Sequence, residues 1–499
     1  AEVFSAGMLI GRGGYGIVSV SGGGLLEIVD PGLKGDVYMN LGGSMGQSNG
    51  FGEVTVTGTD SRISMQSLTA GVTLGRNGFQ GEGHLSVLDG GRFEMHGIDG
   101  AGMNIGRSDA DGTLLVDGAG SVLHIHSALD PYLQIGRDAV SQGSATVSNG
   151  GLIEMIGSNA FLSVGRAGDG ESPLSTLEIN SGGTVTLDGE ADDANVSIGH
   201  EVNGFGRVTV TGAGSNLSTT GTETRVTVGN EGDGELRILD GGLVETLYVQ
   251  VGRAVGSEGS VLLDGAGSEL RLSGQFREGD GAFLQVGREG TGTMTVSGGA
   301  AVSIDGAGGD YPGFSVGARA GSTGMLLVAG AGSEIVITNG GGAPGGGAGY
   351  IAIGSSGTGE VTVTEGAQVV NAAGGYTFVG LNPGSSGVLT LSADAVTGAT
   401  FDAGEIMLIG AGYDFDTGEM LFDQGGDGLV EVLDGAILRA GVAQGDGITD
   451  IYVGAGGILN VASGGTLDAD FELHGGEFGV GASPGTGHFG GDLVVSSGS

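Results

Sequence analysis

Aspartates recur directly before glycine in this sequence, and they form the first pattern that suggests chemistry. They are Asp89, Asp117, Asp240, Asp264 and Asp434. Paired carboxylates are what glycoside hydrolysis or a lyase with a calcium site requires. Asp-Gly is also a turn signal in its own right, because both residues tolerate a left-handed backbone. We therefore interpret these aspartates as turn residues and predict that the protein is not an enzyme.

Histidines supply the other candidate ligands and bases. None of the seven has HExxH or another metal-binding spacing, although His124 and His126 lie two residues apart on one face of a strand. Two ligands do not make a metal site. The chain has no cysteine, no GxSxG elbow, no EF-hand loop and no repeated calcium-binding nonapeptide. These patterns predict no catalytic residue, no metal site and no cofactor, and they leave incidental calcium binding open.

Arginine follows a recurring glycine at seven places. These residues are Arg12, Arg76, Arg107, Arg137, Arg166, Arg253 and Arg288. We predict that they form a structural ladder at one corner of the fold. Asp109, Asp138, Asp169 and Glu289 stand nearby to screen the like charges. A strip that binds an anionic ligand is the alternative interpretation.

The segment 410–454 differs from the rest of the chain, because it contains AGYDFDTGEMLFDQGGDG. Aromatic rings beside carboxylates are a typical combination for gripping a sugar. The same rings could instead pack over the end of a repeat. With both interpretations open, the candidate ligand-binding residues are Tyr413, Asp414, Phe415, Asp416 and Glu419.

The net charge of the chain excludes some classes of binding partner. The chain has 17 basic and 58 acidic residues, a formal net charge of −41. A phosphate backbone or an anionic membrane would be repelled, so we predict no nucleic-acid partner, whereas cations and neutral glycans are compatible. No run of apolar residues approaches eighteen, which predicts no transmembrane helix.

A repeat of about 30 residues organises the chain. An apolar-x-apolar-Gly signature recurs with glycine at 11, 42, 75, 106, 136, 165, 199, 229, 252, 287, 317, 354, 380, 410 and 454. Each repeat contains three short alternating runs, such as MNI, TLLV and VLHI within 103–125, separated by Gly and Asp-Gly. Alternation indicates strands, and the frequent glycines exclude helical repeats. Blades of propellers need four strands and 40 or more residues.

These observations predict an all-β fold, a right-handed parallel β-helix (β-solenoid) with three short strands per coil and about fifteen coils. We predict a continuous solenoid over 1–480 and a terminal strand segment over 481–499 at which the chain is cut short. Coil length varies mainly at one corner, at 127–132, 274–283 and 339–350. In solenoids such a corner is often the binding edge, and tolerated variation at an exposed turn is the alternative.

The repeats resemble the Gly-rich VGxxGxGxLxVxxGGxV units of bacterial autotransporter passenger domains. They read VGREGTGTMTVSGGAAV at 286–302 and IGSSGTGEVTVTEGAQV at 353–369, and GASPGTGHFGGDLVV at 481–495 is similar to the segment near a passenger's end. The resemblance implies export through the outer membrane of a Gram-negative bacterium and display or release of the solenoid. The resemblance also implies a role in adhesion, aggregation or biofilm formation, and it carries over no catalytic residue.

We therefore expect an exported, extracellular or outer-membrane surface scaffold or adhesin without catalysis. Its partners would be a surface glycan or a cell-surface protein. The first alternative is a self-assembling filament or layer protein, since open coil ends offer unpaired strands for self-association. The second is a polysaccharide-degrading β-helix enzyme, which would need several convergent carboxylates on one coil face.

Overall fold

The computed structural model describes residues 6–30, 32–43, 50–76, 81–138, 140–166, 174–276, 279–339, 349–393, 398–433, 435–441, 450–462, 464–480, 488–489 and 493–495. The chain divides into two compact units, Ala1–Thr246 (unit 1) and Leu247–Ser499 (unit 2). All regular elements in the described ranges are β-strands. These ranges hold no α-helix with the length and apolar character needed to cross a bilayer.

The strands of unit 1 are β1 (Ala6–Ile10), β2 (Tyr15–Ser21), β3 (Leu25–Val29), β4 (Asp36–Leu41), β5 (Phe51–Thr57), β6 (Arg62–Arg76), β7 (Gly81–Leu88), β8 (Arg92–Arg107), β9 (Ala110–Asp117), β10 (Val122–Leu129), β11 (Tyr132–Ile135), β12 (Gly143–Ser148), β13 (Leu152–Ser158), β14 (Ala160–Val164), β15 (Ser175–Asn180), β16 (Thr184–Asp188), β17 (Ala194–Ile198), β18 (Phe205–Thr211), β19 (Asn216–Thr220), β20 (Arg225–Val228), β21 (Asp233–Leu239) and β22 (Leu243–Thr246).

The strands of unit 2 are β23 (Tyr248–Val251), β24 (Glu258–Asp264), β25 (Glu269–Ser273), β26 (Phe283–Val286), β27 (Thr291–Ser297), β28 (Ala301–Asp305), β29 (Gly313–Val316), β30 (Thr323–Ala329), β31 (Glu334–Thr338), β32 (Gly349–Ile353), β33 (Thr358–Thr364), β34 (Gln368–Asn371), β35 (Gly375–Val379), β36 (Ser386–Leu391), β37 (Thr400–Asp402), β38 (Ile406–Ile409), β39 (Gly412–Asp414), β40 (Glu419–Leu421), β41 (Asp427–Val432), β42 (Ile437–Arg439), β43 (Ile451–Val453), β44 (Gly457–Val461), β45 (Thr466–Asp468), β46 (Phe471–Leu473), β47 (Glu477–Val480), β48 (His488–Phe489) and β49 (Leu493–Val495).

Three strands make one coil, and each strand pairs with its counterpart in the next coil. In unit 1, β11, β12 and β13 pair in parallel with β14, β15 and β16. In unit 2, β26, β27 and β28 pair in the same way with β29, β30 and β31. The predicted all-β parallel solenoid with three short strands per coil is confirmed. Of the segment 481–499, only β48 and β49 belong to the described residues, and the rest lies outside them.

Alternating residues explain why these segments are strands with one core face. In β18, Val208 and Val210 are fully buried, whereas Arg207 and Thr209 lie on the outer face. Parallel register aligns Leu177, Val208 and Leu236 from three successive coils. Such ladders form the core, and burying each Val, Leu or Ile side chain contributes roughly 1.5–3 kcal/mol.

The signature glycines allow consecutive coils to approach closely. Gly287 has φ +71°, and a Cβ built there would lie 2.3 Å from the carbonyl oxygen of Thr323 in the next coil. The Asp-Gly pairs form tight turns: Asp89 has φ 52° and Gly90 has φ 85°, as in a type I′ turn. The Asp117 carboxylate accepts hydrogen bonds from Ser148 and Asn149 of the next coil, while Asp434 lies outside the described residues.

A buried serine closes many of these turns. The Ser121 hydroxyl accepts a hydrogen bond from the Gly90 backbone N–H of the preceding coil at 3.0 Å and donates one to the Asp117 carbonyl at 2.6 Å. Ser215 repeats the arrangement with the Gly182 N–H, at 3.1 Å. The turn serines therefore couple neighbouring coils through otherwise unpaired amides.

Among the described residues of unit 2, one pair of strands stands outside the parallel stacks. Strands β39 and β40 form an antiparallel hairpin, with Gly412 opposite Leu421 and Asp414 opposite Glu419. On either side of this hairpin the coil keeps its parallel pairs, β38 with β43 and β36 with β41.

Candidate ligand-binding site

A row of aromatic rings lies on the outer face of unit 2. The first residues of β23 and β26, Tyr248 and Phe283, are in register, and their ring centroids lie 6.1 Å apart. Tyr350 and Tyr376 are likewise in register in β32 and β35. Each ring belongs to the residue four positions before a signature glycine, so the repeat itself stacks them.

Gly313 interrupts this row. It pairs with Phe283 on one side and with Tyr350 on the other, and it brings no side chain to the outer face. The Phe283 and Tyr350 rings lean across the gap until their centroids are 5.8 Å apart. A Cβ at position 313 would meet the backbone of Tyr350, so the gap is fixed by the close approach of the two strands.

The hairpin β39–β40 covers the next part of the same face. It buries a small apolar cluster on the outside of the solenoid, composed of Ala352, Phe378, Leu381, Leu408 and Ala411. The rings of Tyr413 and Phe415 lie 5.7 and 5.8 Å from that of Phe378. Phe415 also contacts Tyr350, at 6.2 Å between centroids, and remains 49% exposed.

Two adjoining pockets open beside this row. The first has a volume of about 290 Å³ and is lined by Tyr248, Phe276, Asp280, Gly281, Phe283, Gln285, Tyr311, Tyr350 and Phe415. The second, of about 350 Å³, is lined by Phe283, Gln285, Ser315, Ala318, Arg319, Tyr350, Ser355, Ser356 and Asn382. Because Phe283, Gln285 and Tyr350 line both, the two pockets form one aromatic groove, with an aromatic half and a polar half.

Polar groups with specific orientations line the groove. The Gln285 side-chain oxygen accepts a hydrogen bond from the Gln250 amide at 3.1 Å, which fixes the orientation of Gln285. Ser315 is only 3% exposed, and its hydroxyl has no hydrogen-bond partner among the described residues. A buried hydroxyl without a partner costs about 1–3 kcal/mol, so a ligand hydroxyl that reached it would remove a penalty.

Three tyrosines of this face, Tyr311, Tyr350 and Tyr413, have raised pKa values. Burial raises the pKa of Tyr350 to about 12, against a smaller opposing effect of its hydrogen bond with Ser355. Burial also raises the pKa of Tyr413, and its hydroxyl donates to that of Tyr376 at 3.3 Å. The pKa of Tyr311 is raised by burial and by the neighbouring Asp310. These three side chains are therefore neutral phenols at physiological pH.

The five candidate ligand-binding residues predicted from the sequence occupy different structural positions. Tyr413 and Phe415 join the aromatic row, and Phe415 lines the first pocket. Asp414 serves the hairpin turn, since its carboxylate accepts hydrogen bonds from the backbone N–H groups of Asp416 and Thr417 at 2.9 and 3.2 Å, which lower its pKa. Asp416 and Glu419 are exposed and line neither pocket.

Sequence reasoning missed Tyr248, Phe283, Tyr311 and Tyr350. An aromatic residue four positions before the signature glycine was a usable signal for three of them. The corner insertions contribute as well: 274–283 supplies Phe276 and Asp280, and 339–350 ends at Tyr350. Residues 277–278 and 340–348 of these insertions lie outside the described residues.

The arginines after the signature glycines in unit 1 stack as neighbours. Arg76 and Arg107 are in register, and Arg107 and Arg137 both approach the carboxylate of Asp138, at 3.8 Å each. Burial and the proximity of Arg107 lower the pKa of Arg137, and Asp138 opposes them.

Other arginines of the set have their own carboxylates. Arg166 pairs with Glu201 at 2.8 Å, and Arg288 in unit 2 pairs with Glu289 at 2.6 Å. Of the screening residues selected from the sequence, Asp169 lies outside the described residues. Exposed Arg12 follows Gly11, and half-buried Arg253 follows Gly252. Surface pairs of this kind contribute little stability, about 0–1 kcal/mol each.

Comparison with known proteins finds four matching chains among solved structures. No family model matches the sequence, and no curated protein matches it. One similar solved structure is described as a TibC-catalysed hyper-glycosylated TibA55–350 fragment. It is 14% identical, covers 97% of this chain and 99% of its own, and has a TM-score of 0.33. A likeness of this size assigns neither a family nor an activity.

Proposed function

We propose that this protein is an extracellular β-solenoid scaffold that acts as an adhesin and binds a neutral surface glycan in the aromatic groove of unit 2, without catalysis. The observation that carries the proposal is the row of Tyr248, Phe283, Tyr350 and Phe415 beside oriented polar groups. Aromatic faces stack on the C–H faces of sugar rings, and a few polar groups at the edge select the hydroxyl pattern.

Charge supports a neutral ligand. The chain carries a net charge of −41, and Asp280 adds a carboxylate to the first pocket. An anionic polysaccharide would approach against this field, whereas an uncharged sugar would not. Arg319 in the polar half is the one basic side chain among the described residues that line the two pockets.

The lining also supports binding without cleavage. Glycoside hydrolysis uses two carboxyl groups about 5–9.5 Å apart across the scissile bond. Asp280 is the single carboxylate among the described residues that line the two pockets. Because the described lining offers one carboxylate, we propose that the groove binds a glycan and releases it unchanged.

The cellular setting follows from the repeats. Their resemblance to autotransporter passengers, together with a three-stranded parallel solenoid, supports a place on or beyond the outer membrane of a Gram-negative bacterium. There the stacked coils would hold the groove away from the cell surface, where it meets a host or neighbouring-cell glycan.

The test is binding of the whole chain to an array of neutral glycans, followed by calorimetry with the best binder. Phe415→Ala and Phe283→Ala should each weaken binding by at least about tenfold, or 1.4 kcal/mol. Tyr15→Ala is the matched control, because Tyr15 is 71% exposed and stacks on Phe51 in unit 1. Unchanged affinity in both groove variants would refute the site.

Two further readouts separate the competing functions. Release of shortened sugar from the bound glycan would contradict the non-catalytic part of the proposal. Electron microscopy and light scattering on the same preparation report self-association. Filaments formed by a chain that retains no glycan would favour the self-assembling alternative.

A further inference from the structure

Three histidines from neighbouring coils meet on the outer face of unit 1. His96 lies in β8, and His124 and His126 lie in β10. The parallel register places His126 directly beside His96, and His124 beside Glu94. Since alternate residues of a strand share a face, all three imidazoles emerge on the same side. The rings lie 5.3–5.9 Å apart between centroids.

The nitrogen atoms of this cluster are close to coordination distance. One ring nitrogen from each histidine lies within 4.8 Å of the other two, and all three side chains are half-buried. Tetrahedral ligands at about 2.0 Å from zinc are separated by about 3.3 Å, so a rotation of each ring of about 1 Å at its tip closes the site.

Glu154 orients one of the ligands. Its carboxylate accepts a hydrogen bond from Nδ1 of His124 at 2.9 Å, and it lies in β13, directly in register with His124. A carboxylate on Nδ1 fixes the tautomer in which Nε2 has a free lone pair, as in most histidine metal sites. The remaining carboxylate beside the cluster, Glu94, is engaged by Arg92 at 2.8 Å and by Arg62 at 3.5 Å.

We propose that His96, His124 and His126 bind a divalent transition-metal ion that favours imidazole, with Zn²⁺ as the reference ion. Imidazole suits Zn²⁺, Ni²⁺ and Cu²⁺, whereas Mg²⁺ and Ca²⁺ require oxygen ligands. Three protein ligands leave a fourth position for water or for a donor from a partner molecule. The site is independent of the proposed glycan groove, which lies in unit 2.

The charge of the whole chain favours a cation at this cluster. The net charge of −41 raises the concentration of cations near the surface. Arg62 and Arg92 oppose this locally, but Glu94 pairs with both.

The experiment is calorimetric titration of the whole chain with Zn²⁺ in the presence of excess Ca²⁺, which saturates weak carboxylate sites. The wild-type chain should show one strong site. His96→Gln and His126→Gln should each weaken it at least tenfold, and Glu154→Gln should weaken it less. His84→Ala is the control, because His84 contacts Phe51 and Thr113 outside the cluster, and it should leave the affinity unchanged.

A second readout keeps the test independent of folding defects. Zn²⁺ should raise the thermal unfolding temperature of the wild-type and His84→Ala chains, because a ligand that binds only the folded state stabilises it. The triple variant His96→Gln/His124→Gln/His126→Gln should fold, as judged by circular dichroism, and should lose that increase. Equal Zn²⁺ affinity in the wild-type and triple-variant chains, or no strong site in the wild-type chain, would overturn the proposal.

Discussion

Replacing Ser121 by alanine tests whether the turn serines hold neighbouring coils together. Ser121 is fully buried, and its hydroxyl is the hydrogen-bond partner of the buried Gly90 amide. The change removes one oxygen and leaves almost no cavity, so packing contributes little to the outcome. The Asp117 carbonyl keeps a second donor, the Asp89 N–H at 3.2 Å, so the unpaired Gly90 amide dominates the cost.

A buried donor left without a partner costs about 1–3 kcal/mol. We expect Ser121→Ala to lower the free energy of unfolding by that amount in urea. Exchange of the Gly90 amide hydrogen should accelerate by about 5- to 150-fold, since each 1.4 kcal/mol is a factor of ten. Amide exchange reports the local coil, which is where a solenoid of nearest-neighbour contacts responds first.

Ser273→Ala is the control, because Ser273 is exposed at the end of β25. It should change the free energy of unfolding by less than about 0.5 kcal/mol. If Ser121→Ala and Ser273→Ala unfold alike and Gly90 exchanges at the wild-type rate, the serine hydroxyl does not couple the coils, and the reasoning is refuted.

Three other outcomes follow from the packing and the buried phenol. Gly287→Ala should lower the free energy of unfolding by more than about 1 kcal/mol, measured by thermal unfolding. Gly256→Ala is the control and should lower it less, because Gly256 has φ +82° but no atom lies within 4 Å of a Cβ built there. Phe314→Ala should lower the free energy of unfolding by about 3–5 kcal/mol, because Phe314 is fully buried, while Phe314→Leu should cost a fraction of that. Because the pKa of Tyr350 is raised in the folded state, the neutral phenol stabilises the fold below pH 10, and this stabilisation is lost as the pH rises to about 12. In an ultraviolet titration, Tyr350→Phe should remove one tyrosine that ionises at high pH.

Much of the architecture was predictable because it is local. Alternation in segments such as β18 and glycine at positions such as Gly287 depend on the residue's own backbone and its nearest neighbours. Any model of stacked coils then aligns equivalent residues, and Leu177, Val208 and Leu236 fall into one ladder. These features need only the repeat length and the burial preference of each side chain.

The sites were less predictable because they depend on which residues become neighbours across coils. His96 and His126 are 30 positions apart in sequence, and only the register of β8 with β10 makes them adjacent. Asp414 looked available for a ligand, but the hairpin turn uses its carboxylate. Phe378 occupies an outward-facing position of its strand, and it is buried because the hairpin covers it.

The hairpin β39–β40 also bears on how such a protein changes over generations. It leaves the coil after β38 and the chain resumes its parallel pairing at β41, so the strands on either side keep their partners. Substitutions or insertions within 412–421 can therefore accumulate in evolution while the stacked scaffold stays unchanged. A combinatorial library confined to the hairpin β39–β40 would yield variants that differ in the ligand they bind and share the same fold.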